Sequence, residues 1–206
     1  MSNIFVRSYD APEYDMGEIM RYAGIKEKNN EMEALINASI SEIKGKLSYK
    51  ICFGEFSLSF LEDYIDLGFA KTESEKLKIN LRGCHKAIAF AATLGIELDR
   101  MIARYSHTSP AKALIFQAIG AERIEALCNS FCRDLAEEKA LVGEKLRPRF
   151  SPGYGDLSLD IQKDIFRALD CPRRIGLTLC ESMMMSPSKS VTAIIGISDI
   201  HTQDIL

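Results

Sequence analysis

No uninterrupted apolar run in this chain approaches the roughly 18–20 residues that a membrane-spanning helix requires, so no span is expected. The stretch Met1-Ser2-Asn3-Ile4-Phe5-Val6-Arg7 lacks the basic and then apolar regions of a secretory signal, and a cytoplasmic location is expected. Several catalytic fingerprints are missing as well. There is no Gly-x-Gly-x-x-Gly after a strand pattern, no Gly-Lys-Ser/Thr phosphate loop and no Gly-x-Ser-x-Gly elbow. The three histidines, His85, His107 and His201, have no evident nucleophile partner. Basic residues are scattered and the net charge is −3, so nothing forms a footprint for a nucleic-acid backbone. Of the six cysteines, Cys128 and Cys132 share a helical face, but no histidine or second cysteine pair completes a metal set. Buried thiols are expected rather than disulfides or a metal centre. No Gly-, Ser- or Pro-rich linker, repeat or low-complexity tract divides the chain, which reads as one domain over residues 1–206.

What is present is ample for a core: 206 residues, 47% hydrophobic and 27% charged. Residues 1–30 are polar and irregular apart from a short helix over 16–23 ended by Gly24. Asn30 is a candidate cap for a helix whose Met32, Leu35, Ile36, Ser39, Ile40 and Ile43 recur at three and four residues. Alternation from Tyr49 to Leu61 predicts one or two strands, with a turn at Gly54. Thr72-Glu73-Ser74-Glu75 opens a helix through Leu81 that Gly83 ends. Lys86 to Thr93 is apolar on both faces, as a central strand would be. A helix over 97–105 follows, and Ser109-Pro110 sets a capping hydroxyl before a helix to about Lys139. Its apolar stripe is Ile115, Ile119, Ile124, Leu127, Cys128, Phe131 and Leu135, with Glu125 at the edge. Ser158 is expected to cap a last helix that Cys171-Pro172 terminates, and strands are expected over 176–182 and 190–198. Helices and strands interleave without regular alternation, which points to an α+β fold with a modest, mostly antiparallel sheet.

One stretch stands out: Arg147-Pro148-Arg149-Phe150-Ser151-Pro152-Gly153-Tyr154-Gly155-Asp156. Two prolines stiffen it and two glycines allow sharp turning, so it suits a fixed layout of backbone donors and acceptors. An arginine adds a planar fork suited to a carboxylate or phosphate. An ordinary connection punctuated by Pro and Gly satisfies the same pattern.

Three blocks in order carry a more specific signal. Ala118-Ile-Gly-Ala-Glu-Arg-Ile-Glu125-Ala126 precedes Arg149-x-x-x-Gly153-Tyr154, and Leu179-Cys-Glu181-Ser182 with Pro187 and Ser190-Val191 follows. With Leu81-Arg-Gly83-Cys84, Ala91 to Gly95 and Asp99-Arg100, they resemble the activation (reactivation) domain of cobalamin-dependent methionine synthase, in its free-standing form. The resemblance implies a single C-shaped α+β domain, its mostly antiparallel sheet flanked by helices, with a shallow site for S-adenosylmethionine. It implies an accessory component rather than a complete enzyme. Such a chain presents the methyl donor so that cob(II)alamin on a partner synthase is reductively remethylated, with flavodoxin or another protein as electron donor. No Asp-x-His-x-x-Gly cobalamin motif is present, so the resemblance implies that the partner carries the cobalamin and lacks an activation domain of its own.

Carried over by motif, Arg149 would meet the methionyl carboxylate and Glu125 the ammonium or sulfonium. Backbone groups of Phe150, Ser151, Pro152 and Gly153 would hold adenine and ribose, and Tyr154 would line the site. No catalytic residue or metal ligand is implied, since methyl transfer asks for orientation rather than an acid or base. A reactivator of another corrinoid methyltransferase, or a sensor of S-adenosylmethionine that delivers no methyl group, would carry the same residues.

Overall fold

Lys86-Ala-Ile-Ala-Phe-Ala-Ala-Thr93 alternates small and large apolar residues, and in the computed structural model, which describes residues 3–27 and 29–200, it is the central strand of a five-stranded antiparallel sheet. The elements are β1 (Ile4–Ser8), α1 (Met16–Tyr22), α2 (Asn30–Ile43), β2 (Lys50–Ser57), β3 (Ser59–Phe60), β4 (Ile65–Asp66), β5 (Lys71–Thr72), α3 (Glu75–Asn80), β6 (Lys86–Thr93), α4 (Glu97–Tyr105), α5 (Pro110–Ala140), β7 (Glu144–Leu146), α6 (Ile161–Leu169), α7 (Cys171–Ile175), β8 (Thr178–Leu179), β9 (Met185–Ser186) and β10 (Ser190–Asp199). The main sheet runs β1-β2-β6-β10-β7; β3-β4-β5 and β8-β9 are small separate sheets.

The sheet is curled and flanked by helices on both faces. On one face Cys52, Ala87, Ala89, Ala91 and Ile194 pack against Leu77, Ile161, Ile165, Leu169 and Ile175 from α3, α6 and α7. Alanines on this side of β6 let those helices come close. On the other face Ile51, Phe53, Ile88, Phe90, Ala193 and Ile195 meet Ile124, Leu127, Cys128, Phe131 and Leu135 of α5. The 31 residues of α5 rise about 46 Å, longer than the sheet face needs. Its first half therefore leaves the sheet and packs Ile115, Phe116 and Ile119 with α1, α2 and α4.

Several local expectations change. The cap of α2 is Asn29, whose side-chain oxygen accepts from the Met32 N–H at 2.8 Å. Gly54 makes no turn; it lies within β2, paired with Ile4 and Ala89, where an added Cβ would sit 2.6 Å from the Ile4 side chain. Close strand approach explains that glycine. Ser109 starts α5, but its φ of −155° and ψ of 80° keep the hydroxyl out of capping range. The residue before α6 is Asp160, and Ser158 closes a turn two residues earlier by accepting from the Asp160 N–H. Cys171-Pro172 opens α7 after Asp170 has turned the chain in the left-handed region. Of residues 176–182 only Thr178–Leu179 is strand, and β1 lies in the stretch read as irregular. The cysteines are free; four are buried, whereas Cys132 is half-buried and Cys180 exposed, so the expectation of buried thiols holds for four of the six. Among the described residues no group of His, Cys, Asp and Glu gathers as a metal site, and no helix is long and apolar enough to cross a membrane.

The N-terminal segment is fastened by a buried charge. Arg123 on α5 is fully buried, pairs with the neighbouring Glu122, and donates to the Pro12 carbonyl and, at 2.5 Å, to the Glu13 carbonyl. Its guanidinium also lies 4.0 Å from the Tyr14 ring centre, while Glu122 accepts from the Asp15 N–H. Removing one member would leave the other charge buried alone, so Arg123→Met is expected to cost roughly 3–5 kcal/mol in urea denaturation. The double change Glu122→Gln with Arg123→Met should cost less than that single one, because no lone charge remains.

Candidate functional site

The Arg147–Asp156 segment is the continuation of β7 along β10. Arg147 N–H donates to the Gly196 carbonyl at 2.9 Å, and Phe150 exchanges two backbone hydrogen bonds with Ile194, at 2.8 and 2.9 Å. Between them Pro148 and Arg149 stand opposite one residue, Ile195, which makes a β-bulge. An edge strand tolerates proline there because one side of its backbone is unpaired.

The extra residue decides which way the side chains point. Leu146 packs on the α5 face and Arg147 on the α3 face, where it donates to the Asn80 carbonyl at 3.0 Å. Regular alternation would turn Arg149 to the α3 face and Phe150 to α5. The bulge reverses this. Phe150 enters the core shared with α3 and α6, and Arg149 faces α5.

There Arg149 Nη2 donates to Glu125 at 2.5 Å and to the Asn129 side-chain oxygen at 3.2 Å. Both side chains of this ion pair are partly exposed, Arg149 at 26% and Glu125 at 40%, so solvent competes for it. Arg149 Nη1 is buried with no hydrogen-bond partner. Burial works against the charged form of Arg149, but the charge of Glu125 and its hydrogen bond favour that form, and the pKa is raised above its ordinary value. The Cys128 thiol itself is pushed up to about 12 by burial, so it stays protonated near neutrality. The arrangement is a cation next to an anion at the surface, with the second guanidinium nitrogen buried behind the pair. It suits a ligand carrying both charges.

The segment then turns sharply. Gly153 has φ of +82° and its N–H donates to the Leu157 carbonyl; Tyr154 N–H donates to the Ser151 carbonyl. Tyr154 is 68% exposed, and its ring meets that of Phe150 edge-on at 5.3 Å. Asp156 ends the turn as a clamp. Its carboxylate accepts from the Ser74 hydroxyl and from the Glu75 and Lys76 N–H groups at 3.0 and 3.3 Å, at the start of α3. At the other end of α3, the Asn80 side chain donates to the Pro148 carbonyl at 3.3 Å. One short helix thus holds both ends of the segment. Beside the clamp lies an open cleft of about 550 Å³ lined by Tyr64, Lys71, Thr72, Glu73, Ser74, Asp156 and Ser158.

Of the expected site residues, Glu125 and Arg149 come into direct contact, and Ser151, Gly153 and Tyr154 follow on the exposed turn. Pro152 is buried beneath it. Phe150 exchanges its N–H and C=O with Ile194, so its backbone is engaged in the sheet and the residue positions its neighbours. The Ser151 N–H and the Pro152 and Gly153 carbonyls are what the turn has left to offer. Asn129 is absent from the motif, although its place four residues after Glu125 on one helix puts it on the same face. Glu181 and Ser182 are exposed on the turn between β8 and β9, and Met184 is 67% exposed while Met185 packs against the core. His85 bonds to Glu144 at 3.2 Å, His107 is exposed, and His201 lies outside the described residues.

A family model described as "Vitamin B12 dependent methionine synthase, activation domain" matches residues 74–201. A solved structure of the MetH reactivation domain bound to AdoHcy superposes with a TM-score of 0.66 at 15% identity, covering 98% of this chain and 80% of that one. At that identity the likeness is one of fold. No curated protein sequence matches.

The clamp titrates. The Ser74 hydroxyl first, and then the α3 N–H groups, hold the Asp156 carboxyl below its usual 3.8. A group whose folded-state pKa is depressed stabilises fully above that usual value and stops doing so as pH falls through the folded one. Urea midpoints measured at about pH 5 and about pH 2.5 should therefore fall further for wild type than for Asp156→Asn. At neutral pH the variant should be the less stable of the two.

Proposed function

Because the chain belongs to the activation-domain family of vitamin B12-dependent methionine synthase, we propose that it binds S-adenosylmethionine at the Glu125–Arg149 pair and presents it to a cobalamin carried by a partner synthase. The observation that carries this reading is the partly exposed Glu125–Arg149 ion pair, inside the region that the family model covers.

The residues fit an S-adenosylmethionine head group. Its carboxylate would pair with the Arg149 guanidinium in place of Glu125, by charge-assisted bonds that are stronger than neutral ones. Its ammonium would take the Glu125 carboxylate that Arg149 now neutralises. Each protein charge exchanges an internal partner for a ligand one, so neither is left bare, and Asn129 keeps the Arg149 Nη2 in place during the exchange. The Ser151 N–H and the Pro152 and Gly153 carbonyls are donors and acceptors of the kind that ribose hydroxyls and an adenine edge require. Tyr154, largely exposed, offers a ring face to the adenosyl part. The bound sulfonium supplies an electrophilic methyl group, and the chain's own contribution is to orient it. The fold neighbour, a reactivation domain bound to AdoHcy, supports this ligand class.

A shallow, open site of this kind suits a role in which the methyl group must remain reachable from outside. The cobalamin, the electron donor and the methyl acceptor belong to the partner in this reading.

Calorimetric titration of S-adenosylmethionine and S-adenosylhomocysteine tests it. Arg149→Ala should weaken binding roughly 10- to 150-fold, the equivalent of one hydrogen bond to a charged group at about 1.5–3 kcal/mol. Arg149→Lys should recover part of the loss, since a point charge replaces a fork. Glu125→Gln should lower affinity without changing the fold. Equal affinity in wild type and Arg149→Ala would overturn the assignment.

A further inference from the structure

Strand β1 lies at the edge of the main sheet opposite β7 and, among the described residues, is hydrogen-bonded to β2 alone. The Tyr9 N–H donates to the Tyr49 carbonyl at 2.9 Å, which sets the phase of the pairing. In an antiparallel ladder alternate residues turn their N–H and C=O inward, so Phe5 and Arg7 face β2 and Ile4, Val6 and Ser8 face outward. Arg174 takes the outward Ile4 carbonyl at 3.3 Å. Among the described residues, Val6 and Ser8 keep theirs without a partner in the sheet. Phe5 is 50% exposed and Val6 45%, side by side on this edge. Proteins guard such edges with proline, bulges or charge. No proline or bulge interrupts β1, and its one charge, Arg7, is neutralised by Glu138 at 2.7 Å.

The sequence of β1 complements itself. If two copies pair antiparallel about a twofold axis at Val6, each Val6 exchanges N–H and C=O bonds with the other. Ile4 then stands opposite Ser8 of the second copy, and Phe5 opposite Arg7 of the second copy. Phe5 and Arg7 share the α5 face, where both line a groove of about 260 Å³ with Phe53 and Val142. Arg7 already lies 4.8 Å from the Phe53 ring centre, so its guanidinium is placed for a second aromatic face. On the opposite face the two Val6 side chains meet across the strands. The same axis thus satisfies the idle backbone groups of Val6 and Ser8 and covers both exposed apolar side chains, with the Ile4 carbonyl shared between Arg174 and the Ser8 N–H of the second copy.

We propose that the chain forms a twofold dimer through β1, joining two five-stranded sheets into one continuous sheet. The β7 edge, which carries the Arg147–Asp156 segment, lies four strand spacings away, about 19 Å, so both candidate ligand sites remain open at the outer edges of the assembly. This does not depend on which ligand those sites take.

Sedimentation velocity on the full chain, at concentrations up to about 0.5 mM, well above the micromolar Kd range of specific pairs, tests the proposal. Wild type should sediment at twice the chain mass. Val6→Pro removes the outward N–H while keeping the β2 ladder, and Val6→Lys places a charge on the axis. Both should sediment at the chain mass, with unchanged circular dichroism. Val6→Cys, in a Cys180→Ser background that removes the exposed thiol, tests the register. Hydrogen-bonded antiparallel partners have Cα atoms about 5.5 Å apart, within disulfide reach, so oxidised glutathione should link this variant into a covalent dimer. A wild-type monomer at every concentration overturns the proposal. So does a dimer that survives both Val6→Pro and Val6→Lys, or one that Val6→Cys fails to link, since either places the interface elsewhere.

Discussion

The two backbone hydrogen bonds between Phe150 and Ile194 fix the frame on which the candidate site is built. Ile194 belongs to β10, which is also paired along its length with the central strand β6, so the anchor is tied to the least mobile part of the sheet. Once Phe150 is held there, its ring is committed to the core and the preceding arginine has only the α5 side to occupy. Helix α3 then closes the frame from the other side, gripping the segment at Pro148 and at Asp156. A charged fork on a free loop would lose much of its binding strength to the entropy of ordering it. Here that ordering is already done by groups that need take no part in binding.

Helix α5 connects this frame to the rest of the molecule. Its second half packs on the sheet and supplies Glu125 and Asn129 on the side facing the segment. Its first half carries the Glu122–Arg123 pair, which fastens the turn from Pro12 to Asp15. Glu122 and Glu125 lie one helical turn apart, so the attachment of the N-terminal segment and the acidic half of the candidate site share one rigid rod. Displacing the rod would disturb both, whereas a change at the β8–β9 turn would reach neither directly.

What can be read in the sequence is what depends on neighbours along the chain. The α3 helix follows from its capping residue, α1 and α4 from the glycines beside them, Gly24 and Gly95, and β6 from a run that is apolar on both faces. The antiparallel α+β class and the family's motifs are legible too. The rest depends on contacts between distant segments. Gly54 looks like a turn because its small size answers to Ile4, far away in sequence. Strand β1 is hard to see because five residues with two exposed apolar side chains show no alternation. Glu125 and Arg149 are each legible as charges suited to a ligand, but their pairing across 24 positions is not. The role of Phe150 as an anchor requires knowing that β10 returns beside it.

The bulge at Pro148 and Arg149 has a consequence for how this surface can vary between related chains. Orientation along a strand depends on how many residues precede a position, and only weakly on which residues they are. Substitutions around Arg149 can therefore adjust the chemistry of the surface while leaving its geometry alone. Losing or gaining a single residue between Leu146 and Phe150 would instead turn the guanidinium to the opposite side of the sheet, into the packed layer of α3 and α6. Over evolutionary time this segment should hold its length fixed more strictly than the identity of the residues that flank Arg149 and Phe150.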